Sequence, residues 1–160
     1  TGLINAAGIA SMNLAVATTP NMTQSIIQTN LVGTIYCCQI FSPLMFRNKS
    51  GSIINFSTIA VPLGLKGESV YVASKAGIEG FSRSFAREAA DFNVRVNCIA
   101  PGPINTDLLK GVSSEQIDRI VSQQVIPKQF IPSDVCDLVE LLLDDKSASL
   151  SGQVLNVGGA

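Results

Sequence analysis

Ser52-Ile53-Ile54-Asn55-Phe56-Ser57 and Val94-Arg95-Val96-Asn97-Cys98-Ile99 are short apolar runs separated by one long helical stretch, from about Ser69 to Asp91. Pro62, Gly64 and Gly67 mark the loop that leads into that helix, and Pro101-Gly102-Pro103 stops the second run. A strand, a helix and a second strand in this order form a crossover unit, which joins parallel strands. This unit decides the fold class.

The same alternation continues on both sides. Leu3-Ile4-Asn5-Ala6-Ala7 is a short apolar strand that ends at Gly8. Thr19-Pro20 reads as an N-cap followed by proline at the first helical position, and the helix it opens runs to about Arg47, where Gly51 breaks it. Residues 105–124 read as short helices in a mobile insertion. Ser133-Asp134 caps a further helix, with Val135, Leu138, Val139 and Leu142 at helical spacing, and Gln153 to Val157 is the last strand. The expected architecture is α/β, a doubly wound parallel sheet of about four strands with flanking helices in one domain spanning residues 1–160.

Bulk properties agree. The 160 residues are 46% hydrophobic and 14% charged, enough for one compact domain and not two. A formal charge of −1 gives no basic field, so neither nucleic acid nor an anionic membrane is an expected partner. Cys37, Cys38, Cys98 and Cys136 follow no ligand spacing and histidine is absent, so no metal site is expected. The adjacent Cys37 and Cys38 read as small buried thiols rather than a redox pair, which suits a reducing, cytoplasmic setting. No apolar run is long enough to span a membrane. Thr1 opens mid-pattern without a methionine, so the natural protein is expected to be longer.

In an open α/β sheet, ligands bind beyond the carboxyl ends of the strands. Those ends carry Asn5 to Gly8, Ser57-Thr58, and Pro101 to Thr106, three segments rich in small, polar and Gly/Pro residues. Ordinary polar loops would look similar; a shared crevice is the functional reading.

Tyr71-Val72-Ala73-Ser74-Lys75 then places a phenol and an ammonium on one helix face, one turn apart. A free tyrosine has a pKa of about 10 and is a poor proton donor or acceptor at neutral pH. A fixed cation beside it stabilises the phenolate and suits it to general acid–base work on a carbonyl or alcohol oxygen. A Tyr and a Lys four apart are weak testimony alone. Their company adds weight.

Asn5-Ala6-Ala7-Gly8, Asn30, Ser57-Thr58, Tyr71 to Lys75 and Pro101-Gly102 resemble, in order and spacing, the short-chain dehydrogenase/reductase family. The intervals from Asn30 to Thr58, Tyr71 and Lys75 are similar to that family's Asn–Ser–Tyr–Lys tetrad. Leu150-Ser151-Gly152-Gln153 and Val157-Gly158-Gly159 resemble its closing segment, so the resemblance covers essentially the whole chain. Within the family the pattern is most similar to β-ketoacyl-carrier-protein reductases and to relatives acting on ketones, sugars or polyols.

The resemblance implies a Rossmann-like fold, present as its C-terminal half, and an NAD(P)-dependent oxidoreductase passing hydride between nicotinamide and a small carbonyl or alcohol substrate. It implies Tyr71 as general acid/base, and Lys75 as the group that lowers its pKa and holds the nicotinamide ribose. Asn30 would open its helix locally and seat a water that relays protons toward Lys75; the plain alternative is a surface amide. Thr58 stands where the family has serine; its hydroxyl can serve, though its methyl crowds the pocket, and Ser57 would take the role if the loop shifts by one residue.

Asn5, Ala6, Ala7 and Gly8 correspond to a cofactor turn in which Ala6 replaces an asparagine. Pro101, Gly102, Ile104 and Thr106 correspond to the segment along the nicotinamide, joined there by Tyr71 and Lys75. No Gly-x-x-x-Gly-x-Gly follows a strand, so the phosphate loop is expected in some 80–90 preceding residues, about three strands. With it would go the residue that separates NAD from NADP. Leu3 to Ala7 would then be an unpaired apolar edge, and the fragment alone should be inactive.

The family also implies homodimers or homotetramers, through the long helices before and after Tyr71. Ala73, Ala76, Gly77 and Gly80 would allow close approach there, or pack inside the subunit. Leu108, Leu109, Val112, Ile117 and Ile120 suggest an apolar lid from about Thr106 to Val125. The alternative function is a non-catalytic nucleotide-binding sensor or scaffold of the same fold. An extended nucleotide-sugar epimerase is disfavoured, because too few residues follow Lys75 for a substrate domain.

Overall fold

The computed structural model describes residues 1–109 and 112–160; Lys110 and Gly111, inside the expected lid, lie outside the described residues. Four strands form one sheet in sequential order: β1 (Gly2–Asn5), β2 (Gly51–Phe56), β3 (Val94–Pro101) and β4 (Val154–Val157). All three pairings are parallel, with Asn5 opposite Asn55 and Asn55 opposite Cys98. This is the Rossmann-like α/β sheet expected.

The helices are α1 (Pro20–Ile26), α2 (Gly33–Asn48), α3 (Ala60–Leu63), α4 (Ser69–Ala90), α5 (Ser114–Val121) and α6 (Pro132–Leu143). Thr19 caps α1 as its sequence requires, its hydroxyl accepting from the Met22 amide, with Pro20 behind it. Between α1 and α2 the helix widens into a π-helical segment, Ile27–Val32. The single long helix read from the sequence is therefore two α-helices and a bulge.

Side chains of β2 alternate between the two faces of the sheet, and each face has its own core. Ile53 packs with Cys38, Met45, Ala86, Ala89, Val94 and Val96, under α2 and α4. Ile54 packs with Ile99, Val135 and Leu142, under α6. Burial on both faces explains why β2 and β3 read as nearly continuous apolar runs. Each fully buried isoleucine contributes about 1.5–3 kcal/mol.

Some expected boundaries move. β1 ends at Asn5, so Ala6 to Gly8 leave the sheet. Helix α2 is ended by Lys49 in the left-handed conformation (φ 49°), and Gly51 is already strand. A Cβ on Gly51 would lie 2.8 Å from Met45 Sδ, so close packing rather than helix breaking calls for glycine there. Ser133 and Asp134 fall inside the first turn of α6; the Asp134 carboxylate reaches back to accept from the Ile131 amide at 2.8 Å. Within 105–124 lie a 3-10 turn, Asp107–Leu109, and α5, whose Ser113 and Gln116 form a capping box. Strand β1 pairs only with β2, so its outer edge has no strand partner among the described residues, and Ile4 is 45% exposed.

Candidate active site

The carboxyl ends of β1, β2 and β3 open into one cavity of about 430 Å³. Ala6 and Gly8 reach it from β1, Phe56 to Ala60 from β2, and Pro101 to Ile104 with Thr106 from β3. Tyr71 and Lys75 come to its wall from the first two turns of α4. The three strand ends do share one crevice.

Tyr71 is 7% exposed and Lys75 5%. The Lys75 ammonium donates to the Phe56 carbonyl at 2.8 Å and lies 5.8 Å from the centre of the Tyr71 ring. The end of β2 therefore fixes the lysine relative to the phenol. Burial pulls Lys75 down to about 8, and it pushes Tyr71 up to about 12. The Glu68 carboxylate adds to the rise at Tyr71, and the neighbouring Thr58 hydroxyl opposes it. The expected lowering of the tyrosine by Lys75 is thus not the balance found in the protein alone, because removal from water outweighs it.

Ser57 and Thr58 separate by orientation. The Ser57 hydroxyl is buried and donates to Glu79 at 2.7 Å, and Glu79 also pairs with Arg83 at 3.1 Å. Thr58 is the neighbour of the phenol; its hydroxyl accepts from the Ala60 amide at 3.2 Å.

Asn30 is fully buried within the π-helical segment. Its amide oxygen accepts from the Ile9 amide at 2.8 Å, and its amide nitrogen donates to the Ile9 carbonyl at 2.9 Å and to Ser74 Oγ at 3.0 Å. It is no surface amide. It pins the loop after β1 to the helix that carries Tyr71 and Lys75, and the helix is opened around it. The Asn30 carbonyl accepts from the Thr34 hydroxyl at 2.7 Å.

Of Asn5, Ala6, Ala7 and Gly8, Ala6 and Gly8 lie on the cavity wall. The Asn5 side chain turns into the sheet, donating to Asn55 Oδ1 at 2.8 Å, and Asn55 in turn donates to Ser82 at 2.8 Å. A Cβ on Gly8 would sit 3.4 Å from both Asn30 Oδ1 and Lys75 Nζ, so these two polar groups face one gap that glycine leaves open. Small residues and one ammonium line this gap, so Gly8, Lys75, Pro101, Gly102, Ile104 and Thr106 are the residues that could hold a nicotinamide and its ribose.

Sequence reading passed over Ser74, Asn55, Ser82 and Glu79, whose buried hydrogen bonds support the site. It also passed over Glu68, which lines the cavity one turn before Tyr71. Its signal was the three-residue spacing to Tyr71 on one helix face. Of the small residues on α4, Gly77 packs inside the chain, where a Cβ would meet Leu31 at 2.8 Å. Ala73, Ala76 and Gly80 are exposed. The cysteines are free, and Cys38 is wholly buried, its thiol pushed up to about 12 by that burial.

A parallel α/β sheet with a Tyr–Lys pair, a threonine hydroxyl and a helix-opening asparagine around its strand ends defines a class. The chain belongs to the short-chain dehydrogenase/reductase family: the family model described as enoyl-(acyl carrier protein) reductase matches residues 1–159. Among curated relatives, the 3-oxoacyl-(acyl-carrier-protein) reductase of Staphylococcus aureus (strain N315) is 36% identical over 157 residues, which cover 98% of this chain and 64% of the relative. That of Chlamydia muridarum (strain MoPn / Nigg) is 36% identical over 159 residues, covering 98% and 63%. The crystal structure of a 3-oxoacyl-(acyl-carrier protein) reductase from Brucella melitensis ATCC 23457 superposes with a TM-score of 0.91 at 28% identity, covering 99% of this chain and 62% of that one. The chain thus spans a little under two thirds of the length of these relatives.

Proposed function

We propose that the intact protein is an NAD(P)-dependent oxidoreductase acting on a carbonyl or alcohol substrate, with Tyr71 as the proton donor and acceptor. The observation that carries this reading is the buried Tyr71–Lys75 pair, tied by Lys75 to the Phe56 carbonyl at the wall of the cavity. Nicotinamide supplies or accepts the hydride when bound. In ketone reduction the proton leaves Tyr71 Oη for the substrate oxygen, and Thr58 donates a second hydrogen bond to that oxygen. The Lys75 ammonium stabilises the phenolate left behind. Asn30 Oδ1 and Lys75 Nζ flank the gap at Gly8, the route by which a water resupplies the proton.

Asn5, Ala6, Ala7 and Gly8 form the turn that brings backbone to the cofactor, in this reading, with Asn5 bracing the turn from inside the sheet. Pro101, Gly102, Ile104 and Thr106 form the opposite side. The chain acts as the C-terminal, catalytic part of one Rossmann-like domain. The four free thiols suit a reducing compartment, and a cytoplasmic location is part of the proposal. The relatives' names, 3-oxoacyl-(acyl-carrier-protein) reductases, make reduction of a ketone the first reaction to test.

Assembly as a homodimer or homotetramer completes the reading. Tyr36, Ile40, Phe41 and Leu44 lie exposed along α2, between 52% and 69%, and Ala73, Ala76 and Gly80 lie exposed on α4. These faces suit helix pairing between copies.

The direct test is Tyr71→Phe in the intact protein, assayed with NADH and NADPH. Turnover should fall about 10²–10⁴-fold while cofactor binding persists. Cofactor binding without turnover in the unmodified protein would favour the sensor reading instead.

A further inference from the structure

Glu68 belongs to no element of the tetrad, yet it is 8% exposed and lines the same cavity as Tyr71 and Thr58. It occupies the N-cap position of α4, where an acidic side chain ordinarily folds back onto a helix amide; here no capping bond forms. Its backbone is engaged, the amide donating to Leu65 and the carbonyl accepting from Val72. Its carboxylate has no hydrogen-bond partner among the described residues. Burial raises its pKa, and its charge is felt at Tyr71 one turn away.

The rest of the wall sharpens this. Lys75, the one cation among the described residues of that wall, donates to the Phe56 carbonyl. Leu65, Leu108, Leu109, Val112 and Ile120 make much of the remainder apolar. A carboxylate held in such surroundings is costly until a donor reaches it. An anionic group brought to the same place is repelled.

Resting on the oxidoreductase reading, we propose that Glu68 is a specificity residue. It selects substrates that carry a hydroxyl or ammonium donor close to the reacting carbon on an otherwise apolar skeleton, and it rejects carboxylates there. The cavity, at about 430 Å³, is large enough for such a molecule beside the nicotinamide ring.

The test uses four compounds on one six-carbon ring: cyclohexanol, its vicinal diol, its vicinal amino alcohol and its vicinal hydroxy acid. Affinity is measured by calorimetry on the intact protein with cofactor bound, and kcat/KM for oxidation is measured in parallel. The diol or the amino alcohol should exceed cyclohexanol about ten- to a hundredfold in both, and the hydroxy acid should fall below it. Whichever of the two gains more identifies the donor as hydroxyl or ammonium.

Glu68→Leu should level all four. Glu68→Gln, nearly the same shape, should keep part of the diol preference while losing the ammonium gain and the carboxylate penalty, so it decides the matter even if the leucine variant fails to fold. Equal affinities in the unmodified protein, or ratios unchanged by Glu68→Gln, overturn the proposal. Selective binding with no turnover of any compound would overturn the hydride-transfer reading and leave the role of Glu68 standing.

Discussion

Lys75 and Tyr71 depart from their usual proton affinities in opposite directions, both because they are buried. With Lys75 at about 8 in the folded protein and 10.5 as its ordinary value, the unfolded chain holds the extra proton between those pH values. Lys75 by itself therefore raises stability with pH across that window, by at most about 3 kcal/mol, and above pH 9 the buried thiols of Cys38 and Cys98, ordinarily 9.0 and here about 12 and 11, oppose it. Tyr71, ordinarily 10.0 and here about 12, works the other way: the folded state keeps the proton, and stability falls as pH climbs from 10 to 12. Urea unfolding of the intact protein at stepped pH should show the rise between about pH 8 and 9, below the range in which the thiols act, and Lys75→Met should remove it. A rise of equal size in that variant would show that Lys75 is not its source. Both residues were legible in the sequence by spacing, but their titration was not, because burial belongs to the fold and not to the pentapeptide.

At the scale of elements, the π-helical segment and the loop after β1 form one unit through Asn30. Asn30→Ala would strip partners from the partly buried Ile9 amide and carbonyl and from the buried Ser74 hydroxyl. We expect a loss of about 2–3 kcal/mol in stability, together with faster hydrogen exchange at Ile9, measured by denaturation and by mass spectrometry of deuterated peptides. Protection at Ile9 equal to that of the unmodified protein would contradict this role.

The sequence placed β2, β3, α4 and the last strand to within a residue or two, because their apolar runs are bounded by Gly, Pro and cap residues. It ran α1 and α2 together, since the π-helical segment Ile27–Val32 carries no proline or side-chain cap to mark it. It could not show Asn5–Asn55–Ser82 as one buried ladder. Those contacts join β1, β2 and α4, and only sheet register brings them together. Glu68 is hidden for a related reason: only the fold brings it to the cavity wall beside Tyr71.

At the scale of the whole molecule, two of the exposed apolar surfaces among the described residues bear on association. One is the outer edge of β1, with Ile4 beside it; unpaired edges of this kind invite association. The other is the α2 face of Tyr36, Ile40, Phe41 and Leu44, joined by the small exposed residues of α4. Ile40→Arg should reduce the assembly to smaller species in analytical ultracentrifugation of the intact protein while leaving its far-ultraviolet circular dichroism unchanged. An unaltered sedimentation profile would place the contact elsewhere.

The widened turn at Ile27–Val32 also governs how this gene segment can change length. A π-helical turn holds one residue more than an α-turn, and each residue advances a helix by about 100°. Losing a single codon between Ile27 and Val32 would let the helix close into regular α-form from Pro20 to Asn48. The half before the deletion would then rotate against the half after it, so that the buried faces of Ile26 and Cys38 could not both meet the interior. The helix would look more regular and the protein would fold less well. Insertions and deletions should thus be purged from this stretch.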